Sequence, residues 1–267
     1  MSERPHIILI GCGKMGGSLL QGWLDHNIEV NFTVIEPHDI SVSNVQHFRS
    51  VEDAVPSIKT ADIVILAIKP QAMEALCNKL SPYLNANTTI LSIAAGQSLK
   101  SLSGYFGAKQ PIIRTMPNTP AAIGKGITVA IANAHIAQDN KQIADRLLKN
   151  AGKVEWVNDE SLLDAVTALS GSGPAYVFYL IEILTNAGKK AGLPEKLAET
   201  LARETVIGSS ALADEEKDVK AEVLRENVTS PGGTTAAALE ILMDGRVQEL
   251  FNEALQVATD RSRELNN

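Results

Sequence analysis

The sequence predicts an α/β domain built on a doubly wound parallel sheet, followed by an all-α domain, and two observations support this. In residues 1–158, short apolar runs typical of buried parallel strands alternate with helix-like stretches. In residues 159–267, only helix-like stretches follow one another. The 267 residues, 45% of them hydrophobic, leave room for both domains at about 100–200 residues each.

The strands of the first domain are predicted from short apolar runs, several of them continuous, as expected where helices cover both faces of a sheet. They lie at His6–Ile10, Asn31–Ile35, Ile63–Ile68, Thr88–Ile93, Pro111–Arg114 and Ile127–Ala130, with a further strand at Lys153–Val157. Amphipathic stretches between them predict helices at Met15–Asp25, Glu52–Lys59, Gln71–Leu80 and Ile136–Ala151.

The second domain is predicted to contain helices alone. They lie at Ser161–Leu169, Ala175–Ala191, Pro194–Ala213, Lys217–Asn227, Thr234–Met243 and Gly245–Leu265. Between two of them, Gly192 ends one helix and Pro194 begins the next. The stretch Ala175–Ala191 is apolar nearly all round, which indicates burial in a subunit interface.

Charge and composition argue against several classes of partner. The formal net charge of −7 is opposite to the basic excess of a nucleic-acid binder, and aromatic residues make up only 4%. No apolar stretch approaches the roughly 20 residues of a membrane-spanning helix. We therefore expect a protein without nucleic-acid or membrane partners.

Cysteine and histidine are sparse. Two cysteines, Cys12 and Cys77, are too few for a disulfide framework and favour a reducing, cytoplasmic location. Beyond His135 the chain has neither His nor Cys. The C-terminal half therefore lacks the usual acid–base group and the usual soft metal ligands, and we expect no metal site.

A glycine-rich loop directly follows the first predicted strand. Its residues are Gly11, Cys12, Gly13, Lys14, Met15 and Gly16, and a helix is predicted to begin within it. In the pattern G-x-G-x-x-G, the first glycine allows a tight turn, the second lets the backbone approach a pyrophosphate, and the third allows close packing of helix and strand. This predicts a Rossmann-like dinucleotide site whose anion lies at the helix N-terminus.

An acidic residue lies at the position where a Rossmann-like dinucleotide site binds the adenosine ribose. Glu36 ends the second predicted strand, 23 residues after Gly13. A carboxylate there accepts a hydrogen bond from the adenosine ribose 2′-hydroxyl and repels a 2′-phosphate, which favours NADH over NADPH. The alternative is a solvent-exposed carboxylate at a strand end, and Arg49 or His38 could still accommodate a phosphate.

Three turns follow later strands, at the sheet edge where ligands of open α/β sheets bind. We expect cofactor contacts from residues of all three, namely Ala67, Ile68, Lys69 and Pro70, then Ala94 and Ala95, then Asn118 in the segment Arg114–Pro120. Each turn also has a purely structural interpretation. Lys69 would be an exposed lysine near a turn, Ala94 and Ala95 would form a tight turn of small residues, and the segment around Asn118 would be a connector stiffened by prolines.

The helical domain has two turns rich in glycine and serine. The first, Leu169–Ala175, allows a close crossing of two helices. In the second, Thr229–Thr235, Ser230 is predicted to cap a helix with Pro231 at its first position. Two glycines leave backbone N–H groups uncovered there, which predicts an anion site suited to a carboxylate. An ordinary helix cap is the alternative.

Taken together, these motifs resemble the pyrroline-5-carboxylate reductase family. The residues that carry the resemblance are Gly11–Gly16, Ala67–Gln71, Ser92–Gly96, Arg114–Pro120, Ala168–Tyr176 and Asn227–Thr235, in the family's order. The resemblance implies that the helical domain is a dimerisation domain with interlocking helices and that the dimers often assemble further.

The resemblance also implies roles for individual residues. Ser230, Gly233 and Thr234 would hold the substrate carboxylate, and Thr235 would hydrogen-bond the ring nitrogen as the catalytic residue. Asn227 would lie near both cofactor and substrate, and Lys69, Pro70 and Ala95 would line the nicotinamide ribose. Many members have a Ser-Asn-Arg-like stretch suited to NADPH where this chain has Glu36, so either NADPH or NADH is expected.

The reaction implied is hydride transfer to the C=N carbon of 1-pyrroline-5-carboxylate, which gives proline. An imine can arrive already protonated, so the lack of histidine in the C-terminal half is compatible with this chemistry. Two alternatives stay open. One is a dehydrogenase similar to those acting on 3-hydroxy acids, and the other is a nicotinamide-binding regulatory module without turnover.

Overall fold

The computed structural model describes residues 4–26, 28–42 and 45–266. By its contacts the chain forms two compact units. The first unit ends at Ser172 and also includes the chain from Ala258 onward, and the second is Gly173–Val257. The functional boundary near residue 158 stays a prediction, because a division by contacts does not test where the cofactor-binding part ends.

The first unit is built on an eight-stranded sheet in the order β3-β2-β1-β4-β5-β6-β7-β8. The strand order reverses between β1 and β4, and ligands of such sheets bind at the carboxyl ends of the strands beside that reversal. The strands are β1 (His6–Ile10), β2 (Asn31–Ile35), β3 (Gln46–Phe48), β4 (Ile63–Leu66), β5 (Thr89–Ser92), β6 (Ile112–Met116), β7 (Gly126–Ala132) and β8 (Gly152–Trp156).

All seven strands predicted from the sequence are present, and the predicted α/β fold is confirmed. The sheet departs from a fully parallel one at β7, which runs antiparallel to β6. Nine residues separate Met116 from Gly126. That segment is shorter than the dozen or more residues a parallel crossover needs, so the chain turns back instead. The sequence analysis did not predict β3, whose three residues are too few for a clear pattern.

Helices cover both faces of this sheet. They are α1 (Lys14–Asp25), α2 (Val55–Ile58), α3 (Met73–Leu80), α4 (Leu99–Phe106), α5 (Gln138–Lys149) and α6 (Leu162–Val166). The continuous apolar run of β1 follows from this, because Ile7 and Leu9 pack into the core on one face while Ile8 and Ile10 pack into the core on the other. The sequence analysis missed α4, which begins with a Ser98 side-chain cap.

One predicted helix is interrupted. The sequence analysis extended it to Leu169, but α6 ends at Val166 and a π-helical turn follows over Thr167–Gly171. Packing is tight there, because a Cβ on Gly171 would lie 2.3 Å from Met116 Cε. The wider turn brings the Ser170 carbonyl within hydrogen-bonding distance of Asn118. Such turns are often found at functional sites.

The second unit contains helices only, among its described residues. They are α7 (Gly173–Lys190), α8 (Glu195–Glu215), α9 (Ala221–Asn227), α10 (Thr234–Leu242) and the first part of α11 (Arg246–Leu265). The predicted break between α7 and α8 is confirmed, with Gly192 at φ 99°. Among the described residues, no helix combines the length and the apolar character needed to span a bilayer.

The end of α11 is bonded to other parts of the first unit. Ser262 Oγ and Asn266 Nδ2 both donate to Asp164 Oδ1, at 2.8 and 2.6 Å. Arg114, only 5% exposed, donates to Asn266 Oδ1 at 3.2 Å and forms an ion pair with Glu160 at 2.7 Å. These bonds satisfy polar groups that burial would otherwise leave unpaired.

The close approach of Gly152 to Gly126 leads us to predict that a side chain at Gly152 destabilises the fold. Gly152 has φ 135°, and a Cβ on it would lie 2.0 Å from the Gly126 carbonyl oxygen. We expect Gly152→Ala to lower the free energy of unfolding by about 2–4 kcal/mol, measured by urea denaturation.

Gly104→Ala is the matched control. Gly104 lies in α4, and a Cβ there meets nothing within 4 Å. Alanine should therefore raise stability by up to about 1 kcal/mol. Equal effects of the two substitutions would contradict the role assigned to the Gly126–Gly152 pair.

Candidate functional site

The glycine loop directly follows the carboxyl end of β1, as predicted, and it packs against the residue after β4. Gly11 has φ 91°, and a Cβ there would lie 2.5 Å from the Ala67 carbonyl oxygen. A Cβ on Gly16 would lie 2.3 Å from the Gly11 carbonyl oxygen. These two glycines are therefore required by the close packing of the loop, whether or not a ligand binds.

Gly13 differs from the other two glycines. Its φ is −69°, and a Cβ there would have nothing within 4 Å among the described residues. A side chain at Gly13 would thus project into open space. The fold does not require glycine here, and in the G-x-G-x-x-G pattern this is the position where the backbone approaches a pyrophosphate.

The surroundings of Gly13 suit an anion. Gly13 is the N-cap of α1, whose described surroundings provide no side-chain cap and whose first turn holds no acidic residue. The first N–H groups of a helix have no partner within the helix, and its dipole favours negative charge. A cavity of about 1030 Å³ borders Cys12, Gly13 and Lys14. These features fit the pyrophosphate of a dinucleotide.

The Glu36 carboxylate lies against the same loop. Its Oε2 accepts the Cys12 backbone N–H at 2.9 Å, and its Oε1 is 2.8 Å from His38 Nδ1. His47 Nε2 lies 2.8 Å from the Glu36 carbonyl oxygen. The side chain is only 16% exposed, so the structure does not support the alternative of a solvent-exposed carboxylate.

Two pKa shifts follow from this arrangement. Burial acts to raise the pKa of Glu36, but hydrogen bonds from the Cys12 N–H and from His38 outweigh it and hold the pKa below its ordinary value. Burial, and then the Glu36 charge, raise the pKa of the Cys12 thiol. Glu36 is therefore an anion at neutral pH, and Cys12 is a protonated thiol rather than a nucleophile.

The turns after β4 and β5 lie at the expected edge of the sheet. Lys69 is exposed and extended, with φ −67° and ψ 144°, immediately before a 3₁₀ turn at Pro70–Ala72. After β5, Ala94 is buried and Ala95 is exposed. Ile68 packs against the apolar core beneath the sheet. The cofactor contacts predicted for these residues stay predictions.

Asn118 has structural hydrogen bonds. Its Nδ2 donates to the Ser170 carbonyl oxygen at 3.2 Å, and its Oδ1 accepts the Ile127 N–H at 3.0 Å. The amide thus connects the start of β7 with the π-helical turn. A contact between Asn118 and a cofactor, which is still a prediction, would have to use its remaining hydrogen-bonding capacity.

In the second unit, the turn before α10 differs from the prediction in one respect. Ser230 is not the N-cap, because its carbonyl oxygen accepts the Gly233 N–H at 3.0 Å and closes a turn before the helix. Pro231 and Gly232, the latter at φ 70°, occupy the central positions of this turn, as is typical of type II. The N-cap is Gly233, and α10 begins at Thr234.

The N-terminus of α10 still has the features predicted for an anion site. No described side chain caps it, and its first turn holds no acidic residue. Thr235 is half-buried in that first turn, while Thr234 and Ser230 are exposed. Asn227 is the last residue of α9, shortly before the turn. The five site residues predicted in the second unit lie within the short segment Asn227–Thr235, and their contacts with substrate and cofactor stay predictions.

Sequence reasoning did not predict the contact of His47 with Glu36 or that of Ser170 with Asn118, although it singled out the turn Leu169–Ala175 that contains Ser170. His47 lies on the short strand β3, and Ser170 lies in the π-helical turn. Neither carries a local signal, because their roles depend on segments distant in the chain. Among the described residues, no cluster of His, Cys, Asp and Glu could hold a metal ion.

The open space at Gly13 leads to a prediction about the binding of nicotinamide dinucleotides. We expect Gly13→Ala to raise the dissociation constants of NADH and NADPH at least about tenfold, because the methyl group would occupy the path of the pyrophosphate. The free energy of unfolding should change by less than about 1 kcal/mol. Fluorescence titration of the nucleotide and urea denaturation measure the two effects, with Gly104→Ala as the control. Unchanged nucleotide affinity would contradict this placement of the pyrophosphate.

Comparisons with known proteins agree with this architecture. Residues 160–265 match a family described as pyrroline-5-carboxylate reductase dimerisation, and residues 6–96 match one described as NADP oxidoreductase, coenzyme F420-dependent. The pyrroline-5-carboxylate reductase of Pseudomonas aeruginosa is 38% identical, over 98% of this chain and 97% of that protein. The Pisum sativum enzyme is 35% identical, over 99% and 97%.

Solved structures of pyrroline-5-carboxylate reductases are also similar to this chain. A pyrroline-5-carboxylate reductase from Coxiella burnetii superposes with a TM-score of 0.90 and 32% identity, over 98% of both chains. The Plasmodium falciparum enzyme with NADP bound superposes with a TM-score of 0.85 and 28% identity, over 99% of both chains. With relatives at this identity matching nearly its full length, the chain belongs to the pyrroline-5-carboxylate reductase family.

Proposed function

We propose that this protein reduces 1-pyrroline-5-carboxylate to L-proline, with NADPH or NADH as the hydride donor. The observation that carries the proposal is the near-full-length identity to enzymes of that name, 38% in the Pseudomonas aeruginosa protein. The glycine loop of the first unit and the start of α10 in the second unit, which no described side chain caps, support it. They offer two separate anion sites, as a dinucleotide and a carboxylate substrate require.

The chemistry divides between cofactor and protein. When bound, the reduced nicotinamide supplies a hydride to the C=N carbon of the substrate. The α1 N-terminus holds the pyrophosphate, and Glu36 binds the adenosine ribose. Lys69, Pro70 and Ala95 line the nicotinamide ribose, at the edge of the sheet where their turns lie.

The residues at the start of α10 orient the substrate. The backbone N–H groups from Thr234 onward, together with Ser230, bind its carboxylate, since the Gly233 N–H already donates to the Ser230 carbonyl oxygen. The Thr235 hydroxyl oxygen accepts a hydrogen bond from the protonated ring nitrogen. That proton stays on the nitrogen when the carbon receives hydride, so the protein need not supply a strong acid at this step. Positioning and electrostatics are then the main contribution of the chain.

We also propose that the protein is a homodimer formed through the second unit, and that its dimers can assemble further. Along α7, Val177, Phe178, Tyr179, Leu180 and Ile183 are each 44–62% exposed in the single chain. Such a concentration of apolar surface is typical of a protein–protein interface. The family match over residues 160–265, described as a dimerisation domain, supports the same assignment.

The cytoplasm is the proposed location. Both Cys12 and Cys77 are free thiols, as a reducing compartment would keep them. The net charge of −7 supports the further proposal that the protein has no nucleic-acid partner.

The role of Thr235 can be tested by substitution. We expect Thr235→Ala to lower kcat/KM for 1-pyrroline-5-carboxylate about 10- to 100-fold, because a hydrogen bond to a charged group is lost. Thr235→Ser keeps the hydroxyl and should retain most activity. Nucleotide oxidation followed by absorbance, with proline identified as product, measures the effect. Equal kcat/KM in the wild type and the alanine variant would contradict the assigned role.

The homodimer can be tested at Phe178. We expect Phe178→Glu to shift the mass measured by light scattering from that of a dimer or larger assembly toward 28.5 kDa, because a charge would be buried in the interface. Lys217→Gln, in the exposed turn after α8, makes the same change in net charge and should leave the mass unchanged. A monomeric wild type would overturn the assignment.

A further inference from the structure

We propose that the Glu36 carboxylate makes NADH the preferred cofactor, because it occupies the position where NADPH would place its 2′-phosphate. The inference rests on the proposed function in one respect, that the glycine loop binds a nicotinamide dinucleotide. It goes beyond that function by selecting one of the two cofactors and naming the residue responsible.

The carboxylate is held in place before any nucleotide arrives. Oε2 accepts the Cys12 N–H, which belongs to the glycine loop itself, at 2.9 Å. The Glu36 backbone N–H donates to the Phe48 carbonyl oxygen at 3.0 Å, and His47 approaches the Glu36 carbonyl oxygen at 2.8 Å. Contacts to the loop and to β3 therefore fix both ends of this residue, which lowers the entropy cost of using it in binding.

The carboxylate is charged under working conditions. Burial opposes ionisation, but the hydrogen bonds from Cys12 and His38 keep the pKa of Glu36 below its ordinary value. A 2′-phosphate brought beside it would place two anions together in a site shielded from water, since the side chain is 16% exposed. Close like charges of this kind disfavour binding, whereas a 2′-hydroxyl can donate a hydrogen bond to the carboxylate.

One oxygen is available for that hydroxyl. Oε1 accepts the His38 backbone N–H at 3.2 Å and lies 2.8 Å from the His38 imidazole, whose side chain is 89% exposed. A ribose hydroxyl can take the place of the imidazole at Oε1 while Oε2 keeps its bond to Cys12. The site thus exchanges one hydrogen-bond donor for another without moving the carboxylate.

The nearby arginine is already engaged elsewhere. Arg49 Nη1 donates to the Pro37 carbonyl oxygen at 2.9 Å, and Nη2 forms an ion pair with Asp39 at 2.5 Å. Binding a 2′-phosphate through Arg49 would require breaking its pair with Asp39, which is a small cost because the two side chains are 61% and 89% exposed. The Glu36 carboxylate, which would stay in place, is therefore the main obstacle to NADPH.

The test is a pair of fluorescence titrations, with NADH and NADPH separately and without substrate. We expect the wild type to bind NADH at least about tenfold more tightly. In Glu36→Gln, the amide oxygen can still accept the Cys12 N–H, but the charge is gone. This variant should reduce the preference about tenfold, mainly through tighter binding of NADPH.

A matched control removes an equal charge elsewhere in the sheet. Glu155 is exposed on β8, the edge strand opposite β3. Glu155→Gln should leave the ratio of the two dissociation constants unchanged. A competition titration with ADP and its 2′-phosphorylated form, on the wild type, locates the discrimination at the adenosine ribose, where we expect ADP to bind more tightly.

The outcomes separate this inference from the proposed function. Equal or tighter binding of NADPH by the wild type overturns the inference, as does an unchanged ratio in Glu36→Gln. If Glu36→Gln fails to fold, the inference is judged on the wild type alone. Its dissociation constants for NADH and NADPH, and for ADP and 2′-phosphorylated ADP, must then show tighter binding of the form without the 2′-phosphate. If NADH is preferred as expected but pyrroline-5-carboxylate is not reduced, the proposed function fails while the selectivity of Glu36 stands. If neither dinucleotide binds, both are overturned.

Discussion

The turn after β1 passes so close to the end of β4 that no side chain fits between them. A Cβ on Gly11 would lie 2.5 Å from the Ala67 carbonyl oxygen, and one on Gly16 would lie 2.3 Å from the Gly11 carbonyl oxygen. This double contact fixes where α1 begins and how its N-terminus is presented. Gly13 is consequently left facing open space, and the Cys12 N–H is left free to bond Glu36. The arrangement of the candidate dinucleotide site thus follows from one steric constraint.

The comparison of sequence and structure shows what local patterns can reveal. The continuous apolar run of β1 is informative because both faces of the sheet are buried, and Gly192 is informative because only glycine readily adopts φ 99°. By contrast, β3 consists of three residues and is defined by its partner β2 rather than by its own composition. The antiparallel course of β7 depends on the length of a connection rather than on the strand itself.

In the candidate site, too, features set by local sequence were predictable and features set by distant segments were not. The position of Glu36 was predictable, since a strand end at a fixed distance from the glycine loop is a property of spacing. The bonds of Asn118 were not, because its partner Ser170 is 52 residues away in a turn whose π-helical form has no sequence signature. The cap at Ser230 was wrong because a proline followed by glycine can form a turn before a helix as readily as it begins one. Sequence reasoning therefore predicted where these residues lie in the fold better than it predicted the partners that they contact.

The end of α11 gives the second unit an unusual topology. The chain leaves the first unit after Ser172 and returns to it at Ala258, where Ser262 and Asn266 bond Asp164. The second unit is therefore an insertion with two covalent connections rather than a domain appended at one end. After a single proteolytic cut within either connection, the two fragments would be held together by the non-covalent contacts of the segment from Ala258 onward with the rest of the first unit, including its hydrogen bonds to Asp164. Changes near the end of α11 would act on the hydrogen bonds of the sheet-containing unit, although most of that helix belongs to the helical unit.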